Sequence, residues 1–120
     1  MNRFLLGVRQ ALSGLVHAAR RERNFQIEMA LGLVALAMAW WLRISFVEWL
    51  AVVICCGLVL SAELLNTAIE HLADTTGPGR SEQIRVVKDV AAGAVLVAAV
   101  VSLAVGAAVF LPYLAAMARS

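Results

Sequence analysis

The chain has 120 residues, 62% of them hydrophobic and only 15% charged, with a net charge of +2. A typical soluble domain carries about 25% charged residues, so a water-soluble globule is excluded and one integral membrane domain is expected. A surplus of two positive charges is too small to suggest a nucleic-acid partner, and where the charges lie matters more than their sum.

The first segment, residues 1–23, reads as an amphipathic surface helix. Phe4, Leu5, Val8, Leu12, Leu15, Val16 and Ala19 recur at helical spacing, while Arg9, Gln10, Ser13, His17, Arg20 and Arg21 fall mostly on the other side. A basic helix of this kind lies in the membrane interface. Arginines are scattered through it and no cleavable apolar core is present, so it is not expected to act as a signal peptide. Asn24 offers a bend or a new cap.

The second segment, residues 25–42, has an uncharged part over residues 29–42 of roughly 21 Å. It crosses a bilayer only if residues 25–28 join it, which lowers Glu28 into the boundary. Trp40 and Trp41 close the span at the interface, followed by Arg43. The third segment, residues 45–74, would be about 45 Å of helix, so it crosses and protrudes. Cys55 and Cys56 are adjacent in its apolar run. Neighbours on a helix point about 100° apart, so they read as small packing residues rather than a bridge or a metal pair.

Residues 75–81, TTGPGRS, form a turn, because Gly-Pro-Gly cannot continue a helix. Ser81 caps the last helix, residues 82–118, with Glu82 in its first turn. No charged residue occurs from 90 to 118, well beyond the ~20 residues a span needs. The span is expected to end near Phe110, Pro112 and Tyr113. Ala94, Ala98, Ser102 and Gly106 recur every four residues as a small-residue stripe for close helix approach. The fold class is therefore all-α, an integral membrane bundle of three transmembrane helices with an N-terminal surface helix. Arg3, Arg9, Arg20, Arg21, Arg23, Arg80, Arg85 and Lys88 sit on one side of this topology, Arg43 and Arg119 on the other. The imbalance places the N-terminus and the second loop in the cytoplasm and the C-terminus outside.

The stretch AELLNTAIEHLAD, residues 62–74, carries the chemistry. At 100° per residue, Glu63, Asn66, Glu70 and Asp74 share an arc of about 80° on an otherwise apolar helix. Emergence into water explains Asp74 but not Glu63, which is flanked by Leu60, Leu64 and Leu65. Carboxylates at lipid depth need partners. In an antiparallel pair of helices Glu22 would meet Glu70 near the surface and Glu28 would approach Glu63 deeper in. Facing carboxylates call for a proton or a cation, and a hard cation such as Mg²⁺ takes a few carboxylates together with phosphate oxygens. Arg3, Arg80, Arg85 and Lys88 on the same side suit a polyphosphate. A carboxylate at the depth of Glu63 is placed to take a proton from a lipid alcohol. These parts fit phosphoryl transfer to a lipid, although neither a P-loop nor a kinase Gly-rich loop occurs in the sequence.

RERNF around Glu22, AELLNTAIEHLAD at residues 62–74 and KDVAAGAV at residues 88–95 together resemble the small prokaryotic membrane lipid kinases, diacylglycerol kinase and undecaprenol kinase. The resemblance covers nearly the whole chain. It implies one lipid kinase domain over residues 1–120, assembled as a homotrimer in the bacterial plasma membrane, with active sites at the cytoplasmic surface shared between protomers. It implies Glu63 as catalytic base, Glu22 and Glu70 as ligands of Mg²⁺, and Asn66 beside the lipid. It assigns Lys88, Asp89, Gly79, Arg80, Ser81 and Arg3 to ATP, and makes Glu28 a supporting residue. The Gly77-Pro78-Gly79 turn departs from the longer polar turn of diacylglycerol kinases. RERNFQI and FLPYL resemble the undecaprenol branch and Glu28 the diacylglycerol branch, with the balance favouring undecaprenol. His71 reads as an interfacial histidine. The alternative from another class is a small ion channel or transporter subunit whose carboxylate stripe lines a cation path. A path needs polar groups through the midplane, and residues 90–118 supply no charge there.

Overall fold

A computed structural model describes residues 2–76 and 81–120, which form four helices: α1 (Arg3–Arg21), α2 (Arg23–Leu42), α3 (Phe46–Asp74) and α4 (Glu82–Arg119). The last three are each long and apolar enough to cross a membrane. The chain is an all-helical membrane bundle, as its composition requires.

α1 is capped by Asn2, whose side chain accepts from the Phe4 amide at 2.8 Å, and ends on Arg20 and Arg21, which complement the helix dipole. Its apolar side chains, among them Phe4, Leu5, Leu12 and Val16, are exposed, and Ala18 is its one buried residue. Such a helix has a face for lipid headgroups rather than for the protein core.

The break before α2 falls at Glu22, not at Asn24. Glu22 has extended backbone (φ −104°, ψ 110°) and serves as C-cap of α1 and N-cap of α2. One residue suffices because little hydrogen bonding is lost. The Glu22 amide still donates to Ala18 (2.9 Å), its carbonyl accepts from Gln26 (3.0 Å), and the Gln26 side chain donates to the freed Ala19 carbonyl at 2.9 Å. Asn24 is absorbed into the first turn of α2. Glu22 makes no side-chain cap bond, so its carboxylate is available to other elements.

α2 closes on Arg43 in the left-handed region (φ 55°), and α3 opens with a capping box between Ser45 and Glu48. α3 and α4 run antiparallel: Tyr113 donates to Glu48, Val52 packs with Val109, Ser102 donates to the Cys55 carbonyl, and Lys88 meets Asp74. The far end of the bundle is an apolar plug of Ala39, Ile44, Val52 and Val109, flanked by Trp49 and Phe110. α4 continues through Pro112 to Arg119 rather than stopping near it.

The contact between α3 and α4 follows a 3.5-residue period. On α3 the buried positions are Val52, Val59, Glu63, Asn66 and Ala73, and on α4 they are Ala91, Ala98 and Val109. The expected stripe at every fourth residue is only partly used, since Ala94 is exposed while Ala98 is buried. A step of four residues drifts about 40° around a helix, whereas alternating steps of three and four keep one seam facing the partner. Asn66 lies on that seam, which draws the polar stripe of α3 into the bundle.

Candidate active site

Glu63 is 4% exposed and Asn66 6% exposed, the two buried polar residues among those described. One turn further along α3, Glu70 is exposed and receives a 3.0 Å hydrogen bond from Asn66 Nδ2. Asn66 Oδ1 is buried without a partner. The stripe read from the sequence is thus a gradient, from a buried acid through a buried amide to an exposed acid and finally Asp74.

Glu63 feels the charge of three further carboxylates. Glu28, Glu70 and Glu22 all act electrostatically on Glu63, with Glu28 the strongest of the three. Glu22 meets the residue after Glu70 instead: its Oε1 lies 3.0 Å from His71 Nε2. His17 packs edge-on against His71 with ring centroids 6.2 Å apart. Sequence reading gave neither histidine a part. The available signal was position, since His71 directly follows Glu70 and His17 precedes Glu22 by one turn and a half.

The cationic residues divide. Lys88 Nζ meets Asp74 Oδ1 at 2.6 Å and so ties α4 to the end of the stripe. Arg85 stays on its own helix, paired with Glu82 and with Asp89 at 2.7 Å. Ser81 accepts from the Ile84 amide at 3.1 Å as the N-cap of α4. Gly79 and Arg80 lie outside the described residues. Arg3 opens α1, about 28 Å of helix away from Glu22, so it is not brought to the carboxylates of its own chain.

An open apolar groove of about 650 Å³ runs between α3 and α4, lined by Leu58, Leu65, Ile69, Val90 and Ala94, with Asn66 at its wall. The groove suits a hydrocarbon chain, and Asn66 is its polar landmark. The residue types fit Mg²⁺, since Glu22, Glu70 and the unpartnered oxygen of Asn66 offer the hard oxygen ligands this ion takes.

A buried amide in the wall of a hydrocarbon groove, with a buried acid one turn away and an exposed acid bonded to it, is an arrangement in which a lipid headgroup and a charged solute can meet. Comparison with known proteins agrees. The profile described as prokaryotic diacylglycerol kinase matches residues 9–110. The chain is 40% identical over 114 residues to the undecaprenol kinase of Bacillus subtilis, covering 95% of this chain and 93% of that one. It is 36% identical over 110 residues to a diacylglycerol kinase of Synechocystis sp., covering 91% of this chain and 63% of that protein's length. The match runs from within α1 to Phe110 and takes in every carboxylate of the cluster, and so the chain belongs to the prokaryotic diacylglycerol kinase family.

Proposed function

We propose that this chain is a lipid kinase that moves the terminal phosphate of ATP onto the hydroxyl of a membrane lipid at the cytoplasmic face of a bacterial membrane. The observation that carries the reading is Asn66, buried at the wall of an apolar groove, with the buried acid Glu63 one turn before it on α3. A lipid tail in the groove brings its hydroxyl to the amide oxygen of Asn66, which has no other donor. Glu63 takes the hydroxyl proton as the lipid oxygen attacks phosphorus, and the bond to the departing ADP breaks. The products are a lipid phosphate monoester, ADP and the proton held at first on Glu63.

Glu22 and Glu70 are the residues that would hold Mg²⁺ with the nucleotide. Mg²⁺ supplies neutralisation of phosphate charge when bound. Lys88 and Asp89 at the start of α4 would serve the polyphosphate together with Gly79, Arg80 and Ser81, and Arg3 would come from another protomer of a homotrimer. Asn66 holds Glu70 in place through their hydrogen bond. The excess of Lys and Arg around α1 and the α3–α4 turn favours the cytoplasmic side for this end.

Undecaprenol is the favoured lipid and diacylglycerol the second. The B. subtilis relative matches almost end to end and at the higher identity. The deciding experiment is phosphate transfer from labelled ATP with Mg²⁺ in detergent micelles, offering both lipids, with Glu63→Gln as control. Glu63-dependent product from either lipid supports a kinase, and the faster one names the substrate. No product from a well-assembled protein overturns the reading.

A further inference from the structure

The chain has two histidines in all, and the fold brings both to one place. His17 comes from the last turns of α1, His71 from the protruding end of α3, and Glu22 from the single extended residue between α1 and α2. One donor atom from each lies within 4.8 Å of the others, and the Glu22–His71 pair is already at 3.0 Å. All three are at least partly open to solvent, so an ion can enter and the imidazole of His17 can turn to meet it.

We propose that His17, Glu22 and His71 form a binding site for a borderline transition cation of the Zn²⁺ class, separate in its chemistry from the carboxylate site for Mg²⁺. Two imidazoles and one carboxylate with an open fourth position match the ligand preference of Zn²⁺. Donors about 2.0–2.2 Å from such an ion stand about 3.3 Å from one another, a spacing bracketed by the 3.0 Å contact and the 4.8 Å limit of the group. Mg²⁺ binds imidazole poorly and prefers oxygen, so nitrogen donors here select against it. Glu22 belongs to both donor sets. A Zn²⁺ ion held by the histidines therefore takes Glu22 from the Mg²⁺–nucleotide site and lowers phosphate transfer. That consequence, though not the site itself, rests on the lipid kinase reading above.

The test uses the untagged full-length chain in detergent micelles, titrated with Zn²⁺ by calorimetry and with Co²⁺ by visible absorption. The expected result is one ion per chain and the absorption of a four-coordinate Co²⁺ site. His17→Ala/His71→Ala should weaken Zn²⁺ binding by more than the roughly 10–100-fold lost with a mere outer-shell partner. The single variants should fall between, with unchanged far-UV circular dichroism showing that each is folded. Wild-type protein that binds no Zn²⁺, or a folded double variant that binds it equally well, overturns the site. In Mg²⁺–ATP assays, low Zn²⁺ should slow the wild type and spare the double variant. Equal inhibition of both overturns the competition for Glu22. A wild-type chain inactive on every lipid would count against the kinase reading alone, since the titrations judge the metal site without activity.

Discussion

Asn66 donates its amide nitrogen to Glu70 Oε1 at 3.0 Å while its buried Oδ1 accepts from nothing. An amide oxygen left unpaired in a protein interior costs about 1–3 kcal/mol. Stability alone would favour an apolar side chain on this seam. If the oxygen serves the lipid hydroxyl, Asn66→Leu should leave thermal stability unchanged or raised while phosphate transfer falls at least about a hundredfold, the lower range for a lost proton-positioning group. Thermal unfolding and steady-state rates on the same preparation check both halves. A destabilised but active variant would assign Asn66 to packing.

Glu63 is buried, and the charges of Glu28 and Glu70 act on it more strongly than that of Glu22. Glu63→Gln keeps the shape and removes one of these mutually repelling groups. The variant should fold at least as well as the parent and assemble normally, yet lose about 10²–10⁴-fold in kcat as a general base is removed. The measurement is kcat with saturating lipid and Mg²⁺–ATP, alongside a thermal melt. A near-normal kcat would move the base elsewhere, with Glu28 the next acid to replace.

Much of this site was legible in the sequence because helical geometry is regular. Glu63, Asn66, Glu70 and Asp74 share a face at any helix of that register, and the flanking leucines mark which end is buried. That Glu28 belongs to the second span followed from the short uncharged run of α2. What could not be read was the point at which α1 turns. Asn24 is the better cap by residue type, but the backbone breaks at Glu22 because Gln26 reaches back to the Ala19 carbonyl. That shift decides where the Glu22 carboxylate goes, and hence its contact with His71. The packing stripe of α4 was read only in part for a related reason: small residues at a four-residue spacing are plain in the sequence, and Ala98 and Ser102 do meet α3, while the 3.5-residue seam that leaves Ala94 exposed depends on the partner helix.

Arg43 ends α2 with φ 55°. A side chain in the left-handed region costs about 1–2 kcal/mol that glycine does not incur. Arg43→Gly should raise stability by about 1 kcal/mol, read as a higher midpoint of unfolding in detergent. Phosphate transfer should be unchanged, because Arg43 lies at the opposite end of the bundle from Glu63. A lower midpoint would mean that the charge anchors this end at the interface more strongly than the backbone strain opposes it.

Arg3 stands at the start of α1 and Glu22 just past its end, about 28 Å apart along the helix. A nucleotide held at Glu22 and Glu70 is beyond the reach of Arg3 in the same chain. If Arg3 serves the nucleotide, it serves one bound to a neighbouring protomer. Arg3→Ala and Glu63→Gln chains should each be impaired alone. Mixed before assembly, they should form sites that pair an intact Arg3 from one chain with an intact Glu63 from another, and activity should recover. The check is the rate of mixed oligomers, verified by differential tags, against the mean of the two pure variants. Activity at that mean would place each site within one chain and would remove Arg3 from the nucleotide.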